Sequence, residues 1–109
     1  MGLLPSALGF LRSDVSATKQ QQDERAIERA ARLSGYDLRK IVVFSERTLD
    51  PVHRLRVAVD RMNADAVIVP SVEHFDARRV PAELLEVAAV LIVSPRDAYA
   101  RTAAGRSSR

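Results

Sequence analysis

Four apolar runs, at residues 7–11, 41–44, 66–69 and 90–93, divide the chain, and polar or helical-period segments fill the spaces between them. Three of the runs are continuous rather than alternating, as buried strands of a parallel sheet covered on both faces require. Between the first two, Thr18 and Gln21 have the spacing of a capping box, Ile27, Ala30 and Ala31 recur at helical period, and Gly35 supplies a stop. Between the second and third, Asp50 precedes Pro51 at a first helical position, and Leu55, Ala58, Val59 and Met62 form an apolar stripe that ends at Asn63. Pro81 opens a third, shorter helix, with Glu83 near its positive end and Leu84, Leu85, Val87 and Ala88 turned inward.

The alternation is βαβαβαβ, and right-handed crossovers turn it into an α/β fold: a three-layer, open parallel sheet of about four strands with helices on both faces. The expected core comprises Leu11, Ile27, Val42, Leu55, Val59, Val67, Val69, Leu85 and Leu91. A chain of 109 residues, 47% hydrophobic and 28% charged, has room for one such domain, which we place at residues 1–95. Residues 96–109 read as a basic, flexible C-terminal tail.

Charge sharpens that division. The net charge of +3 would suggest a nucleic-acid partner if it were spread over the fold. Residues 1–95, however, hold thirteen basic and thirteen acidic side chains, so the body is neutral. The surplus is Arg96, Arg101, Arg106 and Arg109 against Asp97, enough for weak DNA contact at most. With no cysteine, disulfides, thiolate metal sites and cysteine nucleophiles are excluded together. The longest apolar run, residues 87–93, falls far short of the roughly 18 residues of a membrane span. We therefore expect a soluble, cytoplasmic protein without a cofactor.

Open α/β sheets bind ligands beyond the carboxyl ends of their strands. There the sequence offers Arg12, Ser13 and Asp14 after the first strand, Ser45 and Glu46 after the second, Ser71, Glu73 and His74 after the third, and Ser94, Arg96 and Asp97 after the fourth. No glycine-rich phosphate loop is present, since neither Gly9 nor Gly35 sits in a Gly-rich turn. The two histidines, His53 and His74, read as surface or helix-end residues.

The segment Gly9-Phe10-Leu11-Arg12-Ser13-Asp14 resembles the opening strand of serine recombinases, the resolvase and invertase family, which reads glycine, aromatic, any residue, arginine, valine, serine. Ala26-Ile27-x-x-Ala30, then Gly35-Tyr36, then a strand ending in Phe44 resemble that family's first helix and second strand. Arg54 through Phe75 resemble its second helix, its third strand and the approach to an aspartate-arginine-leucine-x-x-arginine signature. The resemblance covers roughly residues 7–95. It implies a resolvase N-terminal-domain-like sheet of strand order 2-1-3-4, with Asp14 facing the loop of Glu73 and His74.

The departures bear on function. The nucleophilic serine of the family falls on Asp14, and a carboxylate cannot serve as the phosphoryl acceptor for strand exchange, because the product would be a labile mixed anhydride. The signature lies over Glu73-His74-Phe75-Asp76-Ala77, an alignment that puts His74 and Ala77 where the family has arginines to hold the scissile phosphate. Arg12 matches the strand arginine, Glu73 keeps the acid, and Arg54, with His53 as a competitor for the position, stands for the arginine that opens the second helix. Ser13 and Ser16 are off-register candidates for a nucleophile.

Three readings follow. The first is a recombinase-like domain with a degenerate site (Arg12, Asp14, Arg54, Glu73, His74) and no catalysis, kept as a module that binds a protein partner or a second copy, with an association to DNA. The second is a magnesium- or phosphate-binding enzyme or sensor using Asp14, Glu46 and Glu73. The third is an active recombinase that uses Ser13 or Ser16.

Overall fold

The computed structural model describes residues 3–102. Strand β1 (Ser6–Arg12) leads through a one-turn helix α1 (Ser13–Ser16) and a 3-10 turn into α2 (Gln20–Ser34). Strand β2 (Asp37–Phe44), helix α3 (Pro51–Met62) and strand β3 (Ala66–Val69) follow. Two 3-10 turns and the short α4 (Ala82–Leu85) then lead to β4 (Ala89–Ile92) and β5 (Asp97–Tyr99).

The result is an α/β sheet in the order β2-β1-β3-β4-β5. The pairs β1–β2, β1–β3 and β3–β4 are parallel, whereas β5 runs antiparallel to β4, with Val90 opposite Tyr99 and Ile92 opposite Asp97. Strand count and order thus differ from the four-stranded expectation. The added strand lies inside the segment read as a tail, where residues 93–96 turn the chain back onto the sheet edge. All three β5 residues are exposed, so no apolar period marked the strand in advance. Arg106 and Arg109 lie outside the described residues.

Strand alternation sorts the core into two layers. Leu8, Phe10, Val67, Val69, Val90 and Ile92 face α3 and α4, where they meet Leu55, Val59 and Leu84. Ala7, Leu11, Ala66 and Ile68 face α2 and meet Ile27 and Ala31. Six of the nine expected core residues are buried, and Val42, Leu85 and Leu91 are partly buried against one layer or the other.

Gly9 also points toward α2, and there the close approach needs glycine. A Cβ at that position would lie 2.7 Å from Ile27 Cγ2 and 2.9 Å from Ile41 Cγ1. The missing methyl lets α2 seat on β1.

The helix ends follow their local chemistry only in part. Gly35 closes α2 in the left-handed region at φ 78, with its amide directed to Ala31 and Arg32 carbonyls, and Asn63 closes α3 at φ 52. Pro51 opens α3, but Asp50 makes no capping hydrogen bond. The capping box of Thr18 and Gln21 does not form, because residues 17–19 are already a 3-10 turn and the N-cap of α2 is Lys19.

Candidate functional site

Beyond the carboxyl ends of β1, β2 and β3, a crevice of about 100 Å³ opens between Arg12, Glu46, Thr48, His74 and Asp76. Phe10 and Phe75 are among its lining residues, and Phe44 packs against Phe10. Phe10 stands edge-on to Phe44 and tilted to Phe75, each at a centroid distance of 5.5 Å. The aromatic pairs fix the ends of β1 and β2 and the loop after β3 relative to one another.

Arg12, the last residue of β1, is the hub of the polar rim. Its guanidinium grips Asp14 with two bonds, Nε to Oδ1 at 3.1 Å and Nη2 to Oδ2 at 2.7 Å. Its Nη1 reaches Asp76 Oδ1 across the crevice at 3.2 Å. The hydrogen bond from Arg12 holds the Asp14 carboxyl below its ordinary value, against a smaller opposing effect of burial. The same bond raises the Arg12 guanidinium, to which the charges of Asp14, Asp76 and Glu46 add. A bidentate arginine–carboxylate pair uses the fork geometry with which arginine otherwise binds phosphate. One cation facing three carboxylates leaves this rim with an acidic balance.

His74 is buried, only 3% exposed, at the end of the 3-10 turn Val72–His74, so of the two expected placements, surface or helix end, the structure shows the second. Its Nδ1 accepts the backbone N–H of Arg12 at 2.9 Å, a bond across 62 residues of sequence. The neutral ring therefore carries its proton on Nε2. Burial pushes the His74 imidazole below its ordinary value, while Asp23 is the leading charge acting in the other direction. Ser71 holds the turn by accepting the Glu73 amide at 3.3 Å. The loop then passes through two non-glycine residues in the left-handed region, Ala77 at φ 60 and Arg78 at φ 53, each costing on the order of 1 kcal/mol.

The other expected residues are dispersed. Ser16 is 4% exposed and its hydroxyl donates to Asp23 Oδ2 at 2.6 Å, so it is tied into the α1–α2 junction. Ser13 is the first residue of α1 and makes no side-chain hydrogen bond among the described residues. Arg54 is exposed and donates Nε to the Leu49 carbonyl at 2.8 Å, away from the crevice lining. His53 is exposed on α3. Glu73 is exposed, and Asp14, Glu46 and Glu73 do not converge. Among the described residues no group of three or more His, Cys, Asp or Glu side chains is arranged to hold a metal ion.

One residue of the site, Asp76, was not singled out in the sequence. Asp76, the second carboxylate on Arg12, sits 64 residues away in the chain, and no local period points to it. Counted through its six positions from Glu73, the signature that the resemblance implied would end on Arg78 rather than Ala77. Arg78 is exposed and does not line the crevice, and among the described residues it forms no ion pair.

No family model, curated protein or solved structure matches the chain. No described helix is long and apolar enough to cross a membrane.

Proposed function

We propose that this domain is a binding module that resembles the serine recombinase catalytic domain but performs no strand cleavage. The observation that carries the reading is the Arg12–Asp14 pair. The strand arginine is held in two bonds by the carboxylate at the position that the resemblance aligns with the family's nucleophile. A phosphodiester approaching the rim would meet Asp14, Asp76 and Glu46, and would have to displace a two-bond ion pair to reach Arg12. The alternative nucleophiles support the same conclusion, since Ser16 is buried against Asp23 and Ser13 has no base bonded to it. A crevice of about 100 Å³ is also small beside the roughly 300–1,000 Å³ of sites that enclose small organic ligands. The magnesium reading finds no converging donor set among the described residues.

The test is incubation of the full chain with supercoiled plasmid, followed by denaturing electrophoresis for nicked DNA and for protein joined covalently to DNA. The expected result is neither species. A covalent adduct formed by the wild type and removed by Ser13→Ala or Ser16→Ala would overturn the proposal.

A further inference from the structure

The two faces of the sheet are unequally covered. Among the described residues one carries α3 and α4, while the other carries α2 alone, packed chiefly on β1, β2 and β3. Over β4 and β5 no described helix covers the α2 side. Leu91 and Val93 turn toward it, half-buried. A groove of about 580 Å³ runs there between α2 and the β4–β5 edge, several times the volume of the crevice at the strand ends.

Helix α2 itself has a second apolar stripe along this groove. Ile27 and Ala31 seat it on the sheet, whereas Ala26, Ala30 and Leu33 line the groove at spacings of four and three residues. Leu33 is 78% exposed. The two alanines leave room for a second helix axis at about 8–10 Å, the normal packing distance, with Leu33 at one end as a knob. The shape suits a helix lying beside α2 and across β4.

The charge on the rim selects what kind of helix. Arg29 and Arg96 flank the groove, and neither forms an ion pair among the described residues. Asp97 is the single acid among the described residues of the lining, and its Oδ1 accepts the Ala98 amide at 2.8 Å. A second copy of the chain offering this same rim would set arginine against arginine. The end of the described chain goes elsewhere, since Arg101 and Thr102 hydrogen-bond to the Glu86 and Leu85 carbonyls beside α4.

We propose that the groove between α2 and β4–β5 docks an amphipathic helix of a protein partner, with a small apolar face flanked by glutamate or aspartate. The inference rests on the reading of the domain as a binding module and names where the partner sits and what chemistry it presents. It can fail without touching the plasmid result, which reports only on cleavage.

The probe is a helical peptide of about sixteen residues, with leucine and alanine at helical spacing and glutamate on both flanks. Its twin carries lysine in place of glutamate. Amide shifts of the isotope-labelled full chain and calorimetry give the site and the affinity, with sedimentation run in parallel. The glutamate peptide is expected to move Ala30, Leu91 and Val93 saturably and to bind about tenfold more tightly than its lysine twin. Leu33→Glu and Arg96→Glu, both at exposed positions, are each expected to weaken it about tenfold with unchanged thermal unfolding. Equal binding of the two peptides, shifts confined to other surfaces, no saturable shift, or a dimer of the chain that buries Leu33 would each overturn the proposal.

Discussion

The amide of Arg12 donates to Nδ1 of His74 at 2.9 Å, joining the end of β1 to the loop after β3 through a buried ring. The bond needs Nδ1 unprotonated. It also sets the direction of Arg12, because the backbone that bonds to the ring is the one from which the guanidinium reaches Asp14 and Asp76.

From this follows a pH dependence of stability. Burial lowers His74 from its ordinary value of 6.5, so on acidification the unfolded chain takes up this proton before the folded one does. The contribution of His74 is complete above pH 6.5 and is lost as pH falls toward the folded value. Urea unfolding at stepped pH is expected to show stability declining below that point. His74→Phe should flatten the decline, and should lower stability at pH 7 by about 1–3 kcal/mol, because the Arg12 amide loses its acceptor. An unchanged slope in the variant would remove His74 from this account.

Gly9→Ala tests the seating of α2. The added methyl would meet Ile27 Cγ2 at 2.7 Å, and Ile27 is fully buried with a stiff, β-branched side chain. Overpacking of this kind costs about 1–3 kcal/mol. Thermal unfolding should show a Tm lower by roughly 5 °C or more. A Tm equal to wild type would mean that α2 shifts freely on the sheet.

The four arginines at positions 96, 101, 106 and 109 limit DNA affinity. If all four neutralised phosphates, the plot of log affinity against log salt would have a slope of about −3.6. Fluorescence anisotropy with duplex DNA is expected to show weak binding, no steeper than this and indifferent to sequence. Tight binding at physiological salt that discriminates between sequences would contradict it.

How far these features could be read from the sequence depended on burial. Strand β3 is buried at every position, and its apolar run was legible from end to end. Strand β2 lies at the sheet edge, and its first half, including Asp37, Arg39 and Lys40, is polar and exposed, so only residues 41–44 stood out. Strand β5 left no apolar trace at all. At the site, Arg12 and Asp14 were legible because a strand end places them locally. Asp76 on Arg12 and Ser16 on Asp23 were not, since loop geometry and a helix junction make those pairs rather than any period. The burial of His74 was hidden by its polar neighbour Glu73, and it follows from the bond to Arg12.

On the proposed reading Arg12, bonded twice by Asp14, does not receive a phosphate. Titration of inorganic phosphate into the labelled protein, read at the Arg12 side-chain Nε–H, tests it most directly. The wild type is expected to show no saturable shift in the millimolar range, whereas Asp14→Ser, which frees the two-bonded face of the guanidinium, should bind phosphate measurably and still leave plasmid uncut. Saturable binding of phosphate to wild-type Arg12, equal to that of the variant, would contradict the account.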